Sequence, residues 1–281
     1  MYKKLVIVLV FIMGLGHLYY GLTGDFSLHH ILPQSHFSTV TEVSSLTESE
    51  RQELKKILNQ PFTYIGHGNQ SYAFLSADGD YVLKFFKNEY LRRGWVKHVI
   101  PPVPPFRQFL IHRGKSKEYR EQRILEGYAL SCAHDPENCG LLYFHLDQTD
   151  LFPEVVLIDG LGFKKKVSVQ DYVFAVQKKV VVTKQELDRL LSEGEIDGVN
   201  ERLSQIFALY DLQLEKGLVD RDRNVLDNTG FIGKQAVRHD VGKVVMEAGQ
   251  REVEIEKIRS RLSQWISKNY PQHDLSLFPM L

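Results

Sequence analysis

Four oxygen-bearing side chains stand close together late in the sequence. Asp220, Asp222 and Asn224 follow one another at every second position in "GLVDRDRNVLDNTGFI", and Asp240 returns in "RHDVGK". An aspartate and an asparagine on one loop, with a further aspartate on a following hairpin, can ligate Mg²⁺ through oxygen. A third carboxylate nearby can orient a hydroxyl nucleophile and take its proton. Much earlier, Gly66, Gly68 and Ser71 lie in "YIGHGNQSYAF", between two apolar-alternating runs. Glycines there allow a backbone to approach a phosphate and to aim N–H groups at an anion. Lys84, in "YVLKFF", alternates with Leu83 and Phe85, so a strand would turn it to the opposite face from them, beneath the glycine turn.

The elements that must hold these residues are readable from periodicity. Thr47 with Glu50 makes a capping box, and Leu54, Ile57 and Leu58 share the face of the helix it opens. The period then changes to two, predicting strands at about 62–66, 71–76 and 80–87, with Ala77-Asp78-Gly79-Asp80 as a hairpin turn. Residues 88–115 carry "IPPVPPF" and read as an irregular insert, because proline removes donors and restricts its neighbours. A helix is expected from Ser116 to Ala133, with Leu125, Tyr128 and Cys132 on one side. Strand signals return at 141–146, 154–158, 166–169 and 172–177. Thr183 with Glu186 reads as a second capping box, opening a helix to Leu191. A longer helix runs from about Asn200 to Lys216 and stops at Gly217. Two short strands, around Val225-Leu226 and Ala236-Val237, and a last helix bearing Ile258, Leu262 and Ile266 complete the chain. Strands with one helix, then mostly helices, is an α+β order with two lobes.

The whole chain has 281 residues with 35 basic and 35 acidic side chains, so no global field draws nucleic acid and none is expected as a partner. Cys132 and Cys139 are too few for a disulfide framework or a zinc set; they could close one small loop in an oxidising compartment, and the plainer reading is two unpaired thiols. The eleven histidines show no metal-ligand spacing. Residues 1–22 begin with Lys3 and Lys4, continue through an apolar run from Leu5, and carry Tyr19 and Tyr20 near the end. That pattern is a signal anchor or signal peptide. No clear small-x-small cleavage site favours the second. The lysines place the rest of the chain on the non-cytosolic side, membrane-anchored or exported. Residues 23–46 are polar and aperiodic and read as a tether.

Taken in order, these motifs resemble the protein-kinase-like superfamily over about residues 62–245, in its small atypical members more than its regulatory ones. "GHGNQSYAFLSADGDYVLKFF" is similar to the Gly-rich loop and the strand bearing the phosphate-pairing lysine, with Ser71 at the third glycine and Ala73 at the valine. "VDRDRNVLDNTGFI" resembles the catalytic loop, and "HDVG" the metal-binding aspartate-phenylalanine-glycine motif, with Val241 at the phenylalanine.

The resemblance implies a β-rich N-lobe over 47–178, a short and mostly helical C-lobe over 179–281, and a cleft where Lys84 meets Asn224 and Asp240. It implies ATP with Mg²⁺, the latter on Asn224 and Asp240. Gly66, Gly68, Ser71 and Lys84 would hold phosphates. Glu121, or Glu118, would steady Lys84, and the strand bearing Gln177 would lead to the adenine. Asp220 would be the catalytic aspartate, with Asp222 the alternative. The family places four residues between that aspartate and the asparagine, whereas Asp220 and Asn224 have three between them. No Ala-Pro-Glu motif is present, and only about 40 residues follow Gly242. The expected function is therefore phosphoryl transfer to an unidentified hydroxyl acceptor, with the short stretch after Gly242 weighing against a docked peptide. The alternative is a pseudokinase, a membrane-tethered binding module that engages a protein partner without turnover.

Overall fold

The computed structural model describes residues 2–23, 26–34, 46–88, 106–146, 152, 154–222 and 224–281. It is α+β, and the chain divides into two compact units. The first gathers the described residues up to 34, from 46 to 118 and from 145 to 175; the second gathers those from 119 to 144 and from 176 onward. The two units are interleaved along the chain, so part of the long helix and the strand after it belong with the second unit.

The first unit opens with helix α1 (Tyr2–Thr23), which is apolar and exposed along most of its length, with Thr23 at its end buried. Its segment Lys4–Thr23 is long and apolar enough to cross a membrane by length and composition. Helix α2 (Glu48–Leu58) starts with the capping box: Thr47 Oγ1 accepts from the Glu50 N–H, and the Glu50 carboxylate accepts from the Thr47 N–H. Strands β1 (Phe62–His67), β2 (Ser71–Ser76) and β3 (Tyr81–Phe86) follow as an antiparallel meander with Tyr72 opposite Phe85 and Ala73 opposite Lys84. Phe62, Tyr72, Phe74, Leu83 and Phe85 are all completely buried, which is the period-two pattern turned into one apolar face. The hairpin turn closes through Gly79 at φ +83°, where a side chain would be strained. Strand β5 (Glu154–Ile158) runs parallel beside β1, and β6 (Lys164–Ser168) pairs antiparallel with β5 as an edge.

Two expectations are corrected here. The predicted tether is not all polar linker: Ile31 and Leu32 are buried, and Leu32 donates to the Phe86 carbonyl and accepts from the Val173 N–H. The polar composition around them hid two apolar residues that complete a sheet. The predicted insert is also shorter, because helix α3 (Phe106–His134) begins ten residues before the expected Ser116. Residues 89–105, including the proline run, lie outside the described residues.

The second unit holds the last turns of α3, the one-turn helix α4 (Pro136–Cys139), β4 (Leu141–His145) up to Phe144, β7 (Phe174–Lys178) from Val176, and β8 (Val181–Val182). Helices α5 (Thr183–Glu193) and α6 (Ile196–Glu215) come next, then β9 (Leu218–Asp220), the one-turn helix α7 (Val225–Asn228), β10 (Thr229–Ile232), β11 (Gln235–Arg238), β12 (Val244–Met246) and α8 (Arg251–Asn269). Among the described residues, strand β10 sits between β11 and β8, and β9 pairs with β12. Leu187, Leu203, Ile206, Phe231, Leu262 and Ile266 form the centre of its core. The predicted second capping box does not form. Val182 is the residue before α5, and Thr183 Oγ1 instead shares a buried hydrogen bond with Thr229 Oγ1 at 2.8 Å. Glu186 is likewise taken by Arg202. Tertiary partners outbid a local cap. The predicted strand at Val225-Leu226 is a helical turn. Cys132 and Cys139 are not joined in a disulfide, and burial pushes the Cys139 thiol up to about 12.

Candidate functional site

Gly66, Gly68, Ser71 and Lys84 belong to the first unit, and Glu121, Gln177, Asp220, Asp222, Asn224 and Asp240 to the second. In the first unit, β1 carries an irregularity between Tyr64 and Gly66, and Gly66 takes φ +143°. That backbone position is open to glycine and strained for other residues. Gly68 spends its N–H on the Ser71 carbonyl at 3.0 Å. Its carbonyl accepts from the Lys87 ammonium at 2.7 Å, and the same ammonium sits 4.6 Å from the centre of the Tyr72 ring. Lys87 is 3 % exposed. The glycine turn is therefore a pinned structure. Lys87 was missed in the sequence because it looks like one more strand-end lysine. Lys84 is half-buried on β3, on the same face as Val82 and Phe86, both buried. So both faces of β3 are covered, and Lys84 is not a lysine of an open sheet surface.

The second unit assembles a denser set. Gly217, at φ +73°, lets the chain leave α6 and turn into β9, whose last residue is Asp220. Asp220 points inward, with its side chain 2 % exposed. One carboxylate oxygen accepts from the Asp222 N–H at 2.8 Å; the other lies 3.8 Å from Arg238 Nη1, too far for a hydrogen bond. Arg238 is 1 % exposed on β11, and its guanidinium stacks over the Tyr210 ring at 4.6 Å. Asp220 Oδ2, Arg238 Nε and Nη1, and the Tyr210 hydroxyl are buried without a hydrogen-bond partner, and all three residues line one small cavity.

Asp222 faces the other way. Its side chain is 32 % exposed and makes an ion pair with Lys243 at 2.9 Å. The Asn228 amide also donates to it, at 3.3 Å. Burial acts to raise the carboxyl, but the Lys243 and Asn228 hydrogen bonds and the positive charge around it prevail, so it titrates below the usual carboxylate range. Asn228 is buried at the end of α7, and its carbonyl accepts from the N–H of His239 at 2.9 Å and of Asp240 at 3.2 Å. One asparagine thus joins Asp222 through its side chain to Asp240 through its backbone. Asp240 Oδ1 accepts from the Gly242 N–H at 3.4 Å, folding the turn around the carboxylate.

Helix α3 is seated directly on this turn. A Cβ at Gly127 would strike the Val241 carbonyl oxygen and come within 3.0 Å of the Gly242 carbonyl carbon. The negative charge of Asp240 adds to burial in holding the Tyr128 hydroxyl well above its ordinary value. Glu121 lies on the same helix, 9 % exposed, on the face of Leu125 and Tyr128.

Two of the predicted residues are placed differently from their expected use. Asn224 is the residue before α7. Its carbonyl accepts from the Asn228 N–H at 2.8 Å, and its amide donates to Asp227 at 2.9 Å on the exposed side of that turn. The amide that touches Asp222 is Asn228. The signal that could have found it is the spacing of four between the two asparagines, which puts the second a full turn beyond the first once Val225–Asn228 is read as helical. Gln177 is 1 % exposed and uses its amide on the Cys139 and His239 carbonyls, at 3.3 and 3.1 Å. Among the described residues, no group of three His, Cys, Asp or Glu side chains converges as a metal cluster.

No protein-family model matches the chain, and no curated protein matches it. Among solved structures, a co-crystal structure of WbdD with the kinase inhibitor LY294002 is similar at 15 % sequence identity and a TM-score of 0.35, over 76 % of this chain and 42 % of that one. The chain spans less than half the length of that protein.

Proposed function

We propose that the chain is a membrane-tethered phosphotransferase of the kinase-like kind, moving a phosphoryl group from ATP to a hydroxyl acceptor. The observation that carries the reading is the linkage of Asp222 to Asp240 through Asn228. A solvent-reaching carboxylate, an amide and a second carboxylate are held together by one residue. The order of the glycine turn, Lys84 and these late residues along the sequence supports it from the family resemblance.

Each residue then has a role. Asp222 is the carboxylate that orients the acceptor hydroxyl and takes its proton, in place of the inward-facing Asp220. Asp220 positions Asp222 through its N–H. Asp240 with Asn228, in place of Asn224, would hold Mg²⁺. Two protein oxygen ligands suit an ion that, like Mg²⁺, keeps several waters and binds substrate phosphates. Bound there, it would neutralise phosphate charge. Lys84 is assigned to the nucleotide phosphates and Glu121 to Lys84 on the resemblance. Phosphoryl transfer asks little more of a protein than positioning and charge neutralisation.

One observation favours a second reading, a binding module without turnover. Lys243 already neutralises Asp222, and a carboxylate so paired is a poorer proton acceptor. The two readings separate in one set of measurements on the full chain in detergent. Thermal stability is followed with ATP and Mg²⁺, and ADP release is followed alongside. The phosphotransferase is expected to show both, Asp222→Asn to lose about 10²–10⁴ of the turnover while keeping the stabilisation, and Asp240→Ala to lose the Mg²⁺-dependent part. Stabilisation without ADP release selects the binding module. Neither effect refutes the reading.

A further inference from the structure

Helix α1 is bare up to its last turn: Leu5, Ile7, Val10, Phe11, Met13 and Leu18 are each more than half exposed. Its segment Lys4–Thr23 has 20 residues and a mean hydropathy of 2.1 over its most apolar 18-residue window, and at a rise of about 1.5 Å per residue it covers the roughly 30 Å of a bilayer core. What distinguishes this helix from a loose leader is how its far end is held. Thr23 is 3 % exposed, and the Phe26 N–H donates to its carbonyl. The Phe26 ring packs on Phe74 at 4.8 Å, Tyr72 at 5.4 Å and Tyr64 at 6.0 Å, on the meander of the first unit. Beside it, a Cβ built on Gly160 would lie 2.7 Å from the Leu22 carbonyl oxygen, so the turn between β5 and β6 touches the end of α1. Glycine at 160 is what permits that approach.

The same turn displays apolar side chains on a stiff frame. The Asp159 N–H donates to the Phe163 carbonyl, the Gly162 N–H donates to the Asp159 carbonyl, and the Asp159 carboxylate accepts from the N–H groups of Leu161 and Phe163, each at 2.9 Å. Gly162 takes φ +88°. On this frame Leu161 is 39 % and Phe163 68 % exposed, and Ile65, on β1 next to Tyr64, is 49 % exposed. Phe163 follows Gly160 by three residues, so their Cα atoms are at most about 11 Å apart. Immediately after it come Lys164, Lys165 and Lys166, all exposed, on the edge strand β6. Lysines on a sheet edge also discourage strand pairing. That role explains three charges; it does not explain a phenylalanine held out to solvent beside them.

We propose that this turn and the lysines after it are a membrane-surface contact, in which Phe163 and Leu161 enter the headgroup boundary and Lys164–Lys166 meet anionic lipid headgroups. The inference rests on α1 being a membrane span. An apolar wedge beside a cationic strip is the composition that binds an anionic bilayer surface, and lysine stems can lie along the apolar boundary while their ammonium groups stay wet. The occupant is a bilayer rather than a protein, because the patch stands against the end of the one described helix able to enter a bilayer. The contact gives the first unit a fixed seat on the surface, with the meander that carries Lys84 hung from it through Phe26.

The test uses the full chain in phosphatidylcholine vesicles with and without phosphatidylglycerol, in a Phe163→Trp variant compared with the parent, whose two tryptophans are the background. Quenching of the added fluorescence by lipids brominated at different depths is expected to place it about 5–10 Å into the headgroup and acyl boundary. Lys164→Glu, Lys165→Glu and Lys166→Glu combined in that variant are expected to reduce the quenching in phosphatidylglycerol vesicles without releasing the chain. Leu161→Trp is a second reporter on the same turn. Absence of extra quenching in both reporters, in a chain that resists alkaline extraction, overturns the surface contact while leaving the span intact. Extraction of the parent by alkali overturns the span and the contact with it.

Discussion

Gly127→Ala sets two effects of opposite sign against each other at the one place where α3 meets the turn carrying Asp240. In a helix, alanine is favoured over glycine by about 0.8–1 kcal/mol. Against this, the added methyl group meets the Val241 carbonyl oxygen, and stands 3.0 Å from the carbonyl carbon and 3.3 Å from the Cα of Gly242. All three are backbone atoms of a turn tied down at both ends, by the Asn228 carbonyl on the Asp240 N–H and by pairing of Val244 with Asp220. None can swing aside as a side-chain tip would, so the overpacking cost belongs at the upper end of about 1–3 kcal/mol. The net expectation is a loss of about 1–2 kcal/mol, or a fall in Tm of several degrees at about 2–4 °C per kcal/mol for a domain of this size. Gly198→Ala on α6 is the control: there the nearest atom is Leu190 Cδ2 at 2.9 Å, the end of a flexible side chain. Its propensity gain should nearly balance or exceed the strain. Urea unfolding of both variants, with hydrogen exchange of the Asp240 amide, reads the difference. If Gly127→Ala is as stable as Gly198→Ala, or protects the Asp240 amide equally well, the close seating of α3 on this turn is wrong.

Asp222 carries the pH prediction. Its pKa is held down in the folded chain, so its contribution to stability is present above the unfolded carboxylate value and is lost as pH falls through the folded one. Asp222→Asn should therefore flatten the acid limb of a urea-midpoint series below about pH 4, and an unchanged limb would show that the Lys243 and Asn228 bonds do not hold the carboxylate. The buried pair gives the last prediction. Arg238→Met alone strands the Asp220 carboxylate in a 2 % exposed position and should cost about 3–5 kcal/mol, whereas adding Asp220→Asn should recover part of that loss. A strictly additive double-mutant cycle would refute the pairing, and so the positioning of Asp222 from beneath.

Much of the scaffold was legible in the amino-acid order. The meander over residues 62–86 follows from period-two apolar residues and a glycine turn, both local properties, and the capping box at Thr47 forms between groups three residues apart at the exposed start of α2. The long helices were found by their apolar faces, although their starts were misplaced by several residues, since helix ends depend on caps more than on periodicity. The second capping box failed for the opposite reason: Thr183 and Glu186 have buried partners, Thr229 and Arg202, that only the folded chain brings near.

Residue types alone pointed to aspartates and asparagines, because closely spaced oxygen-bearing side chains can ligate Mg²⁺ or orient a hydroxyl, although they also close turns and cap helices. Where each of them points was a tertiary decision. Asp220 and Asp222 are two residues apart, and pairing of β9 with β12 turns the first inward to Arg238 and leaves the second at the surface. Asn224 and Asn228 are one turn apart, and a four-residue helix faces the first to solvent and the second to Asp222. Composition names the candidate groups; burial and backbone direction, which depend on contacts between residues distant in sequence, choose among them.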